Sequence, residues 1–376
     1  MSRGRVVSRT LTGGAVALLL ATGCSSTPSS GPSSAPPASP PPASTAPPTT
    51  SPAAPVRVAG TLTEGLKSPW GLAELPGGDL LVSSRDERTV TRIDGRTGRQ
   101  TPVGEVPGVV PGGEGGLLGL AVRDGWVYAY LTAESDNRIV RMRYGGGAGD
   151  RLGAPEPVLT GLPKGFIHNG GRIAFGPDGM LYAGTGETGR TGLAQDKGSL
   201  GGKILRMTPE GRPAPGNPFP GSLVYSYGHR NVQGLAWDAD GRLWASEFGQ
   251  NTWDELNLIR PGRNYGWPVV EGIAGRAGYT DPVAQWPTSE ASPSGIAYAR
   301  GAIWMAGLRG ERLWRIPLSG AERSGEPVAF LKGEYGRLRT VQATAGGTRL
   351  WLVTSETDTR GTPGPGDDRI LRLEVG

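Results

Sequence analysis

The chain alternates short apolar segments with polar turns, and one arrangement of them recurs six times between residues 70 and 373. Each copy opens on a small residue and an apolar pair, crosses a Gly- or Asp-rich turn, and enters an apolar or aromatic strand. Trp70-Gly71-Leu72-Ala73 leads to Asp79-Leu80-Leu81-Val82, and Leu118-Gly119-Leu120-Ala121 leads to Trp126-Val127-Tyr128. Gly171-Arg172-Ile173-Ala174 is followed by Met180-Leu181-Tyr182, and Gly234-Leu235-Ala236 by Arg242-Leu243-Trp244. Gly295-Ile296-Ala297 precedes Ile303-Trp304-Met305, and Thr340-Val341-Gln342-Ala343 precedes Leu350-Trp351-Leu352. A further apolar strand, usually carrying an arginine, closes each copy, as in Val90-Thr91-Arg92-Ile93 and Ile370-Leu371-Arg372-Leu373. No long helical period is present. A spacing of roughly 45–60 residues suits a four-stranded blade, so the pattern predicts an all-β fold, a six-bladed β-propeller. A β-sandwich or barrel would need the same turns to recur six times by coincidence.

The remainder of the chain has a different texture. Arg3, Arg5 and Arg9 precede a short apolar run, Ala15 to Ala21, which ends Leu20-Ala21-Thr22-Gly23-Cys24. That order predicts a secretory signal over 1–23, and its small residues before a cysteine resemble a bacterial lipobox with Cys24 as the lipidated residue. Cys24 is the only cysteine, so no intramolecular disulfide can form. Residues 24–56 are dominated by Ser, Thr, Pro and Ala and predict an extended tether, leaving 57–376 for the propeller. The expected placement is therefore extracytoplasmic, with the membrane reached through the lipid anchor only. Three of the five excess positive charges are the signal arginines, and no basic run stands out elsewhere, so no nucleic-acid partner is expected.

The chain contains two histidines, His168 and His229. His168 heads His168-Asn169-Gly170-Gly171-Arg172-Ile173, just ahead of an inner strand, and Glu187 follows the next strand. Imidazole takes up a proton near neutral pH, so His168 in this position is either a catalytic base or an ordinary polar residue of the rim. A propeller turns the residues before each inner strand toward one channel mouth. His168, Arg230, Asn231, Glu114 and Arg339 are thus expected near one another, despite their separation in sequence.

These motifs resemble the soluble quinoprotein aldose dehydrogenases of the glucose/sorbosone dehydrogenase family. The matching stretches are Gly113-Glu114-Gly115-Gly116-Leu117-Leu118-Gly119, the His168–Gly179 segment, Gly202-Lys203-Ile204-Leu205-Arg206 and Tyr227-Gly228-His229-Arg230-Asn231. Ser246-Glu247-Phe248-Gly249-Gln250-Asn251, Asp254-Glu255 and Asn264-Tyr265-Gly266-Trp267-Pro268 follow in the family's order. The resemblance spans nearly all of 58–376 and is most specific over 165–270. It implies a sugar substrate, pyrroloquinoline quinone (PQQ) as cofactor, a calcium ion, and an external electron acceptor. His168 matches the base, and Glu187 stands where the best-studied members carry aspartate. Arg230, Asn231, Arg309, Arg337 and Arg339 match positions that face the cofactor, whose three carboxylates suit guanidinium. The Gly249 and Gln250 carbonyls match the calcium ligands, with Asp254 behind them and Glu255 at a second calcium position of some members. Glu114 replaces a glutamine of the family motif. An ionised carboxylate there only accepts hydrogen bonds and repels an anionic cofactor unless calcium or arginine offsets it.

Two further readings remain open at this level. A propeller on a stalk could be a non-catalytic sugar- or protein-binding module, and a metal-dependent lactonase-type propeller would share the fold. The arginine-rich channel favours an anionic ligand over the second of these.

Overall fold

The computed structural model describes residues 56–376 except 146 and 148; the signal, Cys24 and residues 24–55 of the expected tether lie outside the described residues. Val56, assigned above to the tether's end, is already the first residue of a strand, Val56–Thr63.

Six antiparallel sheets form six blades, each running from the axis outward in chain order except the last. Their inner strands are Pro69–Glu74, Leu117–Arg123, Ile173–Phe175, Val232–Trp237, Pro293–Ala299 and Leu338–Ala343, and each packs against the next around a ring. The six repeats read in the sequence are these inner strands with their second strands, and the arginine-bearing segments are the third strands. In the fifth blade, the third strand Arg312–Ser319 pairs with two short pieces, Glu322–Arg323 and Val328–Phe330.

The ring closes by a device the repeats do not announce. Val56–Thr63 crosses to the last blade and pairs with Ile370–Val375, with Val58 opposite Leu373 and Thr61 opposite Leu371. The outermost strand of the last blade therefore comes from the start of the domain, so the two ends of the chain hold one sheet together.

Six apolar cores lie between neighbouring blades. Leu117, Leu131 and Val90 pack between the first and second, and Trp304, Leu338 and Leu371 between the fifth and sixth. Sheets buried on both faces need apolar side chains on alternate residues of both, which is why second strands such as Leu243–Glu247 and Ala302–Gly307 are buried throughout. Glycine lets the inner strands approach at the axis: a Cβ on Gly71 would sit 2.8 Å from Leu120 N, and one on Gly295 would sit 2.9 Å from Thr340 Cα.

Candidate active site

The loops at one end of the channel surround a cavity of about 440 Å³. His168 enters it from the loop before the third inner strand. Its backbone lies in the left-handed region at φ +53°, followed by Gly170 at +65° and Gly171 at +110°, where glycine carries no steric cost. That turn lifts the imidazole to the cavity wall while the chain drops into the strand. The side chain is 11% exposed, and its Nδ1 is hydrogen-bonded to Glu187 Oε1. Glu187 is 1% exposed, its amide donates to Arg230 O at 2.9 Å, and its buried Oε2 has no partner among the described residues. The carboxylate selects the tautomer with the proton on Nδ1, leaving Nε2 as the acceptor.

Arg230 forms the opposite wall. Its amide donates to Glu247 Oε1, its Nη1 donates to Phe248 O at 3.2 Å, and its guanidinium lies 5.5 Å from the centre of the Trp267 ring. Among the described residues its buried Nε has no partner and no carboxylate bonds the group. Burial lowers its pKa from the ordinary arginine range, against the pull of Glu187 and Glu247. His229 stays behind this wall. Its Nδ1 meets Glu247 Oε2 at 2.7 Å, its Nε2 meets Ser226 Oγ at 2.8 Å, and its ring stacks on Tyr265. It is a positioning residue that shares Glu247 with the Arg230 amide.

A third wall is the loop after strand Leu243–Glu247. Gly249 N donates to Asp254 Oδ1 at 2.9 Å and Gln250 N to Glu271 Oε1 at 2.8 Å, so both amides already have acceptors within the protein. The Gly249 and Gln250 carbonyls accept no hydrogen bond from the described residues, and both residues line the cavity. Asp254 is 1% exposed and also accepts from Ser292 N at 2.6 Å; burial pushes its carboxyl up to about 6 despite these amides. Glu255 faces elsewhere, holding Gly272 N at 2.7 Å and Asn257 Nδ2 at 3.0 Å, with burial and the neighbouring Glu247 charge raising its pKa.

Glu114 does not touch the imidazole. Its Oε2 accepts the His168 amide at 2.8 Å, its Oε1 accepts Arg360 Nη2 at 2.8 Å, and its own amide donates to Phe166 O. The charge that the sequence left uncompensated is thus met by Arg360, from the last blade. Arg309 and Arg337 reach the same cavity, Arg309 on its exposed rim. Arg339 lies deeper, in an adjoining space of about 110 Å³ with Trp70 and Gln233. Arg337 and Arg339 both donate to Asp358 Oδ2, at 3.1 and 2.9 Å. Burial pushes the Asp358 carboxyl up, but the two guanidinium charges outweigh it and hold the group at about 2. Asn231 is not on the cavity wall; its Oδ1 accepts Gly170 N at 2.9 Å and anchors the His168 turn.

The structure therefore gathers His168, Glu114, Arg230, Arg309, Arg337, Gly249, Gln250 and Asp254 at one cavity, places Glu187, Asn231 and Arg339 directly behind it, and leaves Glu255 aside. Asp358, Arg360 and Phe166 were not among the expected residues. Phe166, two residues before His168, is 78% exposed and lines the adjoining space that holds Arg339. The Ser-Glu-Thr-Asp-Thr-Arg run of the last blade is a polar loop at the same end as the other site loops, which was the available signal for the first two.

Comparison with known proteins bears on this arrangement. Residues 66–363 match the family model described as Glucose / Sorbosone dehydrogenase. The chain is 33% identical over 252 residues to quinoprotein glucose dehydrogenase B of Acinetobacter calcoaceticus, covering 57% of this chain and 53% of that protein. It is 28% identical over 274 residues to the aldose sugar dehydrogenase YliI of Escherichia coli, covering 68% and 74%. Among solved structures, the PQQ-bound aldose sugar dehydrogenase of Streptomyces coelicolor superposes with a TM-score of 0.84 at 69% identity, over 88% of this chain and 100% of that one.

Replacing Asp358 by Asn should leave Arg337 and Arg339 buried without a counter-charge and cost about 3 kcal/mol near neutral pH. A carboxyl held at about 2 against an ordinary 3.8 stabilises the fold above the ordinary value and loses that contribution as pH falls toward about 2. Urea unfolding of both proteins at several pH values checks this: the gap should narrow below pH 4, and a gap independent of pH would refute it.

Proposed function

The chain belongs to the glucose/sorbosone dehydrogenase family, and on that premise we propose that it is a PQQ-dependent aldose sugar dehydrogenase that oxidises the anomeric carbon. One observation carries the reading. His168 has Nδ1 held by Glu187 and Nε2 free at a cavity whose opposite wall is an arginine without a bonded carboxylate.

The residues fit the cofactor's chemistry. The orphaned Arg230 Nε and the rim guanidinium of Arg309 suit an anion bearing several carboxylates, and the free Gly249 and Gln250 carbonyls suit a hard cation such as calcium. PQQ, when bound, supplies a two-electron acceptor. The chain's own groups do the rest. His168 Nε2 accepts the proton of the anomeric hydroxyl as the C1–H bond gives up its hydride, and the sugar leaves as the lactone. Glu187 fixes the ring's direction and offsets the imidazolium charge as it forms, so a single transfer need not reorganise the site. Glu114, bonded to the His168 amide, keeps the turn in its left-handed geometry. The exposed Phe166 ring offers an apolar face to the C–H side of a pyranose entering beside His168. Electrons then pass to an external acceptor.

We place the enzyme outside the cytoplasm, tethered through Cys24, because Leu20-Ala21-Thr22-Gly23-Cys24 precedes a Pro/Ser/Thr-rich stretch long enough to hold the propeller off a membrane.

Three tests follow from this reading. With PQQ and Ca²⁺ added to the purified protein, aldoses should reduce an artificial acceptor, and His168→Ala should lower kcat by roughly 10²–10⁴. Glu187→Gln should fall between the two, and PQQ titration followed by absorbance should show both variants still binding the cofactor. Undiminished turnover in His168→Ala would sink the assignment. Phe166→Ala should raise KM for the sugar roughly tenfold, about 1.4 kcal/mol, while KM for the acceptor holds; the opposite split would make Phe166 part of the acceptor's contact instead. Finally, Cys24→Ala should move the protein from the membrane fraction to the soluble extracytoplasmic fraction, which immunoblotting of cell fractions detects; a membrane fraction unchanged by the substitution would refute the tether.

A further inference from the structure

The channel has a second opening at its far end. A cavity of about 420 Å³ lies there, walled by inner-strand residues such as Leu72, Leu120, Ile173, Ile296 and Val341. Arg172 forms its roof. The side chain is 8% exposed, and every partner it has is neutral: Nε donates to Gln233 O at 2.8 Å, Nη2 donates to Thr340 Oγ1 at 3.1 Å, and the guanidinium lies 4.4 Å from the centre of the Trp70 ring. Nη1 has no protein partner among the described residues and is not sealed in, and the residue lines this cavity.

The charge balance is unusual. Arg85 has Asp86, and Arg337 and Arg339 share Asp358, but among the described residues no carboxylate lies within ion-pair distance of Arg172. Burial lowers its pKa to about 9, and the Arg339 charge adds to the effect. Neutral hydrogen-bond acceptors stabilise a buried guanidinium only in part; an unpaired buried ion carries a penalty of several kcal/mol. Glu74 is the one carboxylate on the cavity wall. It ends the strand whose second residue is Trp70, so its backbone lies about 13 Å along the strand from the ring that Arg172 covers.

We propose that this cavity is a binding site for a small monovalent anion, of halide or short carboxylate size, seated on Arg172 Nη1. One guanidinium edge supplies one unit of charge, which matches a monovalent ion. Gln342 and Trp237 on the same wall carry N–H groups that can donate, but the Leu, Ile and Val side chains around them offer none, which disfavours strongly hydrated ions such as sulfate or fluoride and favours bromide and iodide. The Arg172–Gln233–Arg339 layer separates this site from the His168 cavity, so the inference does not depend on the sugar-oxidising reading.

The test uses the whole purified chain without added PQQ. Thermal unfolding is followed against sodium bromide, with sodium fluoride at equal ionic strength as the reference, for the wild type and Arg172→Met. Bromide should raise the wild-type midpoint saturably, by roughly 3–6 °C near a hundredfold excess over Kd, and the variant should show no such saturable rise. A rise of the same size in Arg172→Met overturns the proposal. Should that variant fail to fold, wild-type crystals soaked in bromide decide the matter: an anomalous peak within about 3.5 Å of the guanidinium supports the site, and a map without one there overturns it.

Discussion

The whole molecule depends on a girdle of contacts between neighbouring blades at the channel, where hydroxyls, one guanidinium and one backbone amide reach carbonyls at or beside the next blade's inner strand. Ser83 Oγ of the first blade donates to Leu118 O of the second at 2.6 Å, and Gly119 N donates to Gly171 O of the third at 3.0 Å. Arg172 Nε reaches Gln233 O of the fourth, and Ser246 Oγ reaches Ser294 O of the fifth at 2.5 Å. Gly295 then abuts Thr340 of the sixth, whose Oγ1 donates to Trp70 O of the first at 2.8 Å and completes the circuit. Inner strands of a propeller pair on one side only within their own blade. These cross-blade bonds satisfy main-chain groups that would otherwise be buried unmet, at a cost of about 1–3 kcal/mol each. They also fix the rotation of each blade relative to the next.

That rotation is what brings the site together. His168, Arg230, the Gly249 loop and the Asp358 loop belong to four separate stretches of the chain. Asn231 shows how the girdle passes order upward: its Oδ1 holds Gly170 N one step above the strand contacts, and this tethers the His168 turn to the fourth blade. Glu187 N to Arg230 O is a second tie between the same two blades, so the imidazole, its carboxylate and the facing guanidinium are set by one shared junction. A base and an anion-binding group can then be preorganised without either residing on a flexible loop.

The fold was legible because blade structure is local. Each apolar pair, turn and strand is a complete signal in about a dozen residues, and Trp304 or Leu181 announces its burial by its neighbours. The ring closure was not legible, since Val56–Thr63 pairs with a strand some 310 residues away and nothing in Val-Arg-Val-Ala-Gly-Thr-Leu-Thr names its partner. The same limit applies to the site. His168 and Glu187 stand in one repeat, and their pairing could be read from position. Asp358, which gathers Arg337 and Arg339, could not be distinguished from other acidic residues in polar loops, because its role rests on a side-chain geometry that spacing does not encode.

Glu114 illustrates why a single substitution is hard to judge without its surroundings. Taken alone, a carboxylate in place of a glutamine adds negative charge beside a site meant for an anion. In the folded chain one oxygen accepts the His168 amide, a bond a glutamine oxygen could also accept, and the other accepts Arg360. Arg360 is exposed and reaches Glu114 from the sixth blade, only one blade removed around the ring, bringing a guanidinium to the cavity rim. The carboxylate and the arginine cancel at long range but not at short range: a ligand entering the cavity meets the donor face of Arg360, while the Glu114 oxygens are already spent on donors. A glutamine would hold the His168 turn as well, yet its amide would give Arg360 no charge to pair with. The exchange thus converts a neutral rim into a cross-blade ion pair, and what it changes is how firmly the first and last thirds of the ring are drawn together over the base.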